Sequence, residues 1–83
     1  MKIAYPAIFE VDKEDSKFIN VSFPDIWGGV TFGEGFDNAM YMAKDLLKLM
    51  LTEAPAQCEK PSSLEYTQNN FPDKKIIMVE VEI

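Results

Sequence analysis

Ile3, Tyr5, Ala7, Phe9 and Val11 fall by alternation on one face of a predicted first strand, and Ala4, Pro6, Ile8 and Glu10 on the other. Pro6 has no N–H for a ladder hydrogen bond, so this strand is expected at a sheet edge or irregular at that point. The charged stretch Asp12–Lys17 reads as a hairpin-type connection. Alternation resumes over Phe18–Phe23, with Ile19, Val21 and Phe23 inward and Asn20 and Ser22 outward. Pro24–Gly29 breaks that strand. Val30-Thr31-Phe32 is a short third one, closed by Gly33-Glu34-Gly35. Three strands on short loops predict an antiparallel meander.

The period changes at Phe36. Phe36, Ala39, Met40, Ala43, Leu46, Leu47 and Met50 recur at spacings of three, four and seven, predicting a helix from Phe36 to about Thr52. Gly35 is the expected cap, Asp37 sits in the first turn, and Asp45 and Lys48 are spaced for an i,i+3 pair. Met42, Leu49 and Leu51 widen the apolar surface beyond one stripe. Ala54–Lys75 reads as a long polar connection, with Ser62 placed to cap one short helical turn. Ile76–Ile83 is the last strand, with Ile77, Val79, Val81 and Ile83 on one face and Glu80 and Glu82 on the solvent side. The expected fold is therefore α+β with two layers: a three-stranded antiparallel meander plus a fourth strand, and one helix packed on the sheet. One domain over residues 1–83 accounts for the whole length. The second sheet face carries Ile8, Ile76 and Met78 beside its polar residues. With the wide helix, that predicts a homodimer or higher homo-oligomer.

Composition narrows the chemistry. The net charge is −6, and all eight cations are lysines, with no arginine and no histidine. Without His there is no side chain that ordinarily titrates near neutral pH, and no Ser-His or Cys-His dyad. Without Arg there is no bidentate fork for phosphate or guanine, and the acidic balance repels nucleic acid. A single cysteine, Cys58, rules out an internal disulfide and fits a reducing, cytoplasmic setting. The first residues turn polar by Glu10, too early for a signal peptide, and no apolar run is long enough to span a membrane.

Candidate chemistry is sparse. Asp25 and Glu34 flank the third strand and are the acids a metal-dependent nuclease would draw on, yet the strand-borne acids alternate outward and no inward cluster is predicted. Gly28-Gly29 and Gly33-x-Gly35 fit turns better than a phosphate cradle, for no P-loop lysine follows. No metal, cofactor or catalytic residue is assigned. Trp27 is different: Phe23 and Ile26 already supply loop packing, so an aromatic between Ile26 and two glycines suits either an interface anchor or a cap on the core. Tyr41 is a weaker case of the same kind.

Tyr5-Pro6-Ala7-Ile8-Phe9-Glu10, Val21-Ser22-Phe23-Pro24-Asp25-Ile26, Gly29-Val30-Thr31-Phe32-Gly33-Glu34-Gly35, Ala39, Ala43 and Pro61-Ser62-Ser63-Leu64, in that order, resemble the HicB antitoxin family. The resemblance runs through Val79-Glu80-Val81. It implies a partial RNase H-like fold of order βββαβ and a type II antitoxin that occludes a small basic HicA-like toxin, an mRNA interferase. It also implies a non-enzyme, so that any catalytic imidazole belongs to the toxin. Many family members continue into a DNA-binding helix-turn-helix or ribbon-helix-helix. The residues here stop at Ile83, where that segment would begin, so no direct DNA binding is expected from them. Trp27-Gly28-Gly29 departs from the family's common Pro-Gly-Cys. Asp25, Trp27 and Glu34, beside the third strand, are the expected partner contacts. A stand-alone oligomeric module without a toxin is the alternative, and a degenerate metal-dependent nuclease the remoter one.

Overall fold

The computed structural model describes all residues from Met1 to Ile83. Strands β1 (Lys2–Val11), β2 (Phe18–Ser22) and β3 (Val30–Glu34) are followed by helix α1 (Gly35–Glu53), a 3₁₀ turn at Pro55–Gln57, helix α2 (Leu64–Asn70) and strand β4 (Lys75–Glu82). The sheet is antiparallel throughout, in the order β3-β2-β1-β4. The α+β reading holds, with α1 packed across the sheet.

That order corrects the expectation for Pro6. Strand β1 is central, paired to β4 from Lys2 to Phe9 and to β2 only from Ile8 to Val11. Asp12 N–H donates to the Phe18 carbonyl, so the even-numbered residues of β1 point their amides at β2. Pro6 would meet β2 beyond Ser22, where β2 has already ended. The missing N–H therefore costs no ladder bond, and proline is tolerated inside the sheet.

The core lies between α1 and the odd-numbered face of the sheet. Tyr5, Ala7, Phe9, Val21, Phe23, Ile26, Val79 and Val81 meet Ala39, Ala43 and Leu47 of α1 in one buried cluster. Val11 and Ile83, placed in the same alternation, lie past the ends of the helix contact and are exposed. Phe36 leads the helix and rests on Phe9, ring centroids 5.5 Å apart, while staying half-exposed. Met42 and Leu51 are half-buried, leaving Leu49 as the exposed part of the widened stripe.

Helix α1 begins one residue earlier than its period suggests. Glu34, not Gly35, is the cap residue, and the Glu34 N–H donates to Asn38 Oδ1 at 3.0 Å. Gly35 takes φ +79°, the left-handed turn that swings the chain from β3 over the sheet. Gly33 lies directly beneath the first turn of the helix, where a Cβ would stand 2.5 Å from the Ala39 amide nitrogen. Asp45 and Lys48 form no ion pair; the four present involve the N-terminal amine with Glu82, Lys2 with Glu80, Lys17 with Asp15 and Lys74 with Glu10. The β1–β2 connection is organised by Asp12, whose carboxylate accepts from the Glu14 and Asp15 amides and the Asn20 side chain. Those bonds, the Asn20 contact foremost, hold its carboxyl below the usual range.

The second face of the sheet is divided. Pro6 and Ile8 of β1 and Ile76 of β4 alternate away from the core yet are buried. They sit beneath α2, which packs on β4 with Thr67 only 2% exposed. The apolar half of that face is thus covered by the chain itself, and Ile8 and Ile76 give no grounds for self-association. Two turns of helix stand where one was expected. Ser63, not Ser62, is the cap, its hydroxyl accepting from the Tyr66 amide at 3.0 Å.

Replacing Gly33 by alanine must push the α1 backbone off β3, because backbone and not a flexible side chain occupies the space. Overpacking of this kind costs about 1–3 kcal/mol. Urea unfolding of Gly33→Ala is expected to show a lowered midpoint at unchanged slope; a midpoint equal to that of the parent chain would refute the close-contact account.

Candidate functional site

The loop between β2 and β3 reaches past the end of β2 and lies beside the segment that follows α1. Ile26 and Cys58 form an isolated antiparallel bridge. Trp27 N–H donates to the Gln57 carbonyl, and Glu59 N–H to the Asp25 carbonyl, each at 2.9 Å. The Asp25 carboxylate then accepts from Ser62 twice, from its amide at 2.8 Å and its hydroxyl at 3.0 Å. Beneath this clasp, the Tyr5 hydroxyl donates to the Glu59 carbonyl at 2.7 Å. Four hydrogen bonds join the two loops, and a fifth ties them to Tyr5 of β1.

This arrangement reassigns Asp25. Expected as an exposed contact, it is half-buried with both carboxylate oxygens engaged inside the chain. Its work is to hold the clasp shut. Asp25 also cannot join Glu34 in a metal site. Glu34 caps α1 at the far end of β3, and the four steps from Val30 to Glu34 alone span about 13 Å. No three Asp, Glu or Cys side chains converge as a ligand set.

Trp27 is placed differently. Its backbone is fixed by the Gln57 contact and its side chain is 79% exposed, while Phe23 and Ile26, which precede it in the loop, are buried. The core is closed without it. Cys58, within the long polar connection, is held by its bridge to Ile26 and is half-buried, which pushes its thiol above the usual range.

From the loop, an exposed apolar row continues along β3. Val30 is 67% and Phe32 58% exposed on the second face of the sheet, the half that α2 leaves open. Phe32 meets Phe18 edge-on at 5.8 Å. Val30, Phe32, Asn20, Ser22 and Glu10 border an open depression of about 580 Å³. The row was not picked out from the sequence, although a signal exists. Gly33 must face the helix, so its neighbours Phe32 and Glu34 must face the other way.

Glu34 thus closes one end of the exposed β3 strip, and the loop that carries Asp25 and Trp27 leads into the other. Removing the Asp25 carboxylate strands the Ser62 amide and hydroxyl. Hydrogen bonds to charged groups are worth about 1.5–3 kcal/mol, so Asp25→Ala should destabilise within that range. Trp27→Ala should stay within about 0.5 kcal/mol, as an exposed surface change does. Urea melts of both variants check the contrast, and equal costs would contradict it. Alkaline titration offers a second check. Burial, reinforced by Cys58 and Asp25 nearby, raises the Tyr5 pKa above its ordinary 10.0. Folding therefore favours the neutral phenol. Its contribution is complete below about pH 10 and falls as pH rises toward the folded-state value. Tyr5→Phe should flatten the alkaline loss of stability apart from the share due to Cys58. A pH profile identical to the parent's would contradict the role given to the phenol. Comparison with protein-family models, curated proteins and solved structures finds no match for this chain.

Proposed function

We propose that this chain is an antitoxin of the type II class, one that binds a small basic ribonuclease of the HicA kind and covers its catalytic surface. The observation that carries this reading is Trp27, an exposed aromatic on a backbone fastened by the clasp, which no part of the core requires. Rigid, exposed aromatics are the side chains around which protein interfaces concentrate their binding energy. Glu34 at the other end of the strip, and a net charge of −6 over 83 residues, suit a cationic partner by steering its approach. The order of three strands, a helix and a fourth strand is compatible with the partial RNase H-like domain that the HicB resemblance implies. The absence of His in this chain leaves the catalytic imidazole to the toxin. No helix is long and apolar enough to cross a membrane. A bacterial cytoplasm is where such a pair would act.

A second reading, a stand-alone oligomeric module, rests on a different feature, the exposed apolar row of β3. The two are separated by binding. Co-expressed with the small basic protein encoded beside it, the chain is expected to co-purify as a stable complex and to abolish that protein's ribonuclease activity. Trp27→Ala should weaken the complex roughly 30-fold, the loss expected for a hot spot of about 2 kcal/mol. The association rate should fall at least about tenfold between low and high salt. Failure of the two proteins to associate, or full inhibition with no complex disturbed by Trp27→Ala, would overturn the proposal.

A further inference from the structure

We infer that the free edge of β3 pairs with β3 of a second copy of this chain, making one continuous antiparallel sheet across a two-fold axis at Phe32. The inference starts from which backbone groups face outward. Gly35 N–H donates to the Lys17 carbonyl and Phe23 N–H to the Gly29 carbonyl, so the odd-numbered residues of β3 direct their hydrogen bonds at β2. Val30, Phe32 and Glu34 direct theirs away from the sheet. The chain satisfies most of these itself. The Val30 amide turns back to the Gly28 carbonyl at 3.0 Å, and the Glu34 amide is taken by Asn38 Oδ1. The Glu34 carbonyl, on the cap residue, opens the helical ladder. What remains is the N–H and C=O of Phe32, with the Val30 carbonyl beside them.

One donor and one acceptor on a single residue are self-complementary. In an antiparallel pair, two residues directly opposite exchange both bonds, so Phe32 facing Phe32 of the second copy satisfies both groups on both chains. Charge agrees with that register. Glu34, the only charge on the strand, falls opposite Val30 of the second copy, and no carboxylate meets another. The side chains agree as well. Val30 and Phe32 stand on the same face in both copies, so the exposed rows, each backed by Phe18, join across the axis.

The remainder of the strand lacks the devices that keep an edge single. Val30–Glu34 contains no lysine, no proline and no bulge. The opposite edge of the sheet is different. The β1–β4 pairing leaves the even-numbered residues of β4 facing outward, and these include Glu80 and Glu82. Self-pairing centred at Glu80–Glu82 would set like charges opposite one another. The β3 edge carries no charge at its centre, and pairing there about a two-fold axis closes a dimer.

The inference does not depend on the proposed function, whose anchor is the Trp27 side chain on the loop. It is tested on the full chain by sedimentation velocity from about 5 to 500 µM, together with amide exchange at the same concentrations. A reversible monomer–dimer equilibrium is expected, with the Phe32 amide, open in the monomer, becoming at least tenfold slower to exchange in the dimer. Phe32→Pro deletes the outward N–H together with the aromatic side chain on the axis and should raise the dissociation constant at least tenfold. Phe32→Lys, which keeps the amide but places charges across the axis, should do the same if the proline variant fails to fold. Tyr41→Ala, on the outer side of α1, should leave the equilibrium unchanged. A monomer at every concentration would overturn the inference, as would a dimer in which the Phe32 amide exchanges as fast as in the monomer. Protection of that amide only on adding a basic protein partner would also overturn it and assign the edge to that partner.

Discussion

The arrangement of this domain depends on how closely α1 lies on the sheet. Ala39, Ala43 and Leu47 are wholly buried, and the first of them sits on Gly33, where no side chain intervenes. A helix brought that near its strand fixes which residues of β3 face inward. Gly33 and Thr31 go under the helix, and Val30, Phe32 and Glu34 are forced onto the opposite face. The apolar row outside the domain is the geometric complement of the contact inside it. Exposing Val30 and Phe32 carries a hydrophobic cost of a kilocalorie or more each, of the order of burying an apolar side chain. Small residues at the closest approach let the core close despite that cost.

The same two-sidedness governs the rest of the second face. Strand β2 ends at Ser22, opposite Ile8, and from Ala7 back to Lys2 β1 continues alone beside β4, the strand on which α2 packs. Helix α2 can stay there because the clasp brings the chain from the end of α1 to its first turn. Asp25 holds Ser62, and Ser63, the next residue, caps α2. One half-buried carboxylate therefore links the β2–β3 loop, and with it the backbone of Trp27, to the helix covering the back of the sheet. Loops so constrained present a side chain at little entropic loss on binding, which is the condition for an aromatic anchor.

The regular elements were legible because each carries a clean period. Alternation located β1, β2 and β4, and the spacing of Phe36 through Met50 located α1 to within one residue at each end. What alternation could not convey was strand order. Pro6 argued for an edge strand, and only the early end of β2 reconciles it with a central one. The polar connection concealed α2, since Leu64–Asn70 has too few apolar residues for a helical period and is held by its Ser63 cap and by Thr67. The place of Asp25 in the clasp was not legible because its hydrogen-bond partner is 37 residues away, and no local pattern announces a hydrogen bond between two loops. The exposure of Trp27 was half legible: Phe23 and Ile26 nearby could fill the core without it, yet a core cap suited the same position, and only the packed loop leaves its side chain outside.

Charge and edge chemistry then divide the surface between two kinds of contact. An excess of six negative charges opposes association of like chains at long range, and that opposition is screened over about 8–10 Å at ordinary ionic strength. A backbone pair at Phe32 acts only at contact and carries no charge of its own. Salt should therefore strengthen contacts between copies while weakening those with a cationic partner. The two respond in opposite directions because a strand-edge pair is built from uncharged amides, while the proposed contact with a cationic partner draws on the net negative charge. An arginine-free surface suits this division. Its lysines lie outside Val30–Glu34, so nothing cationic blocks the edge, and the nearest one, Lys17, rests by the Phe18 ring and pairs with Asp15.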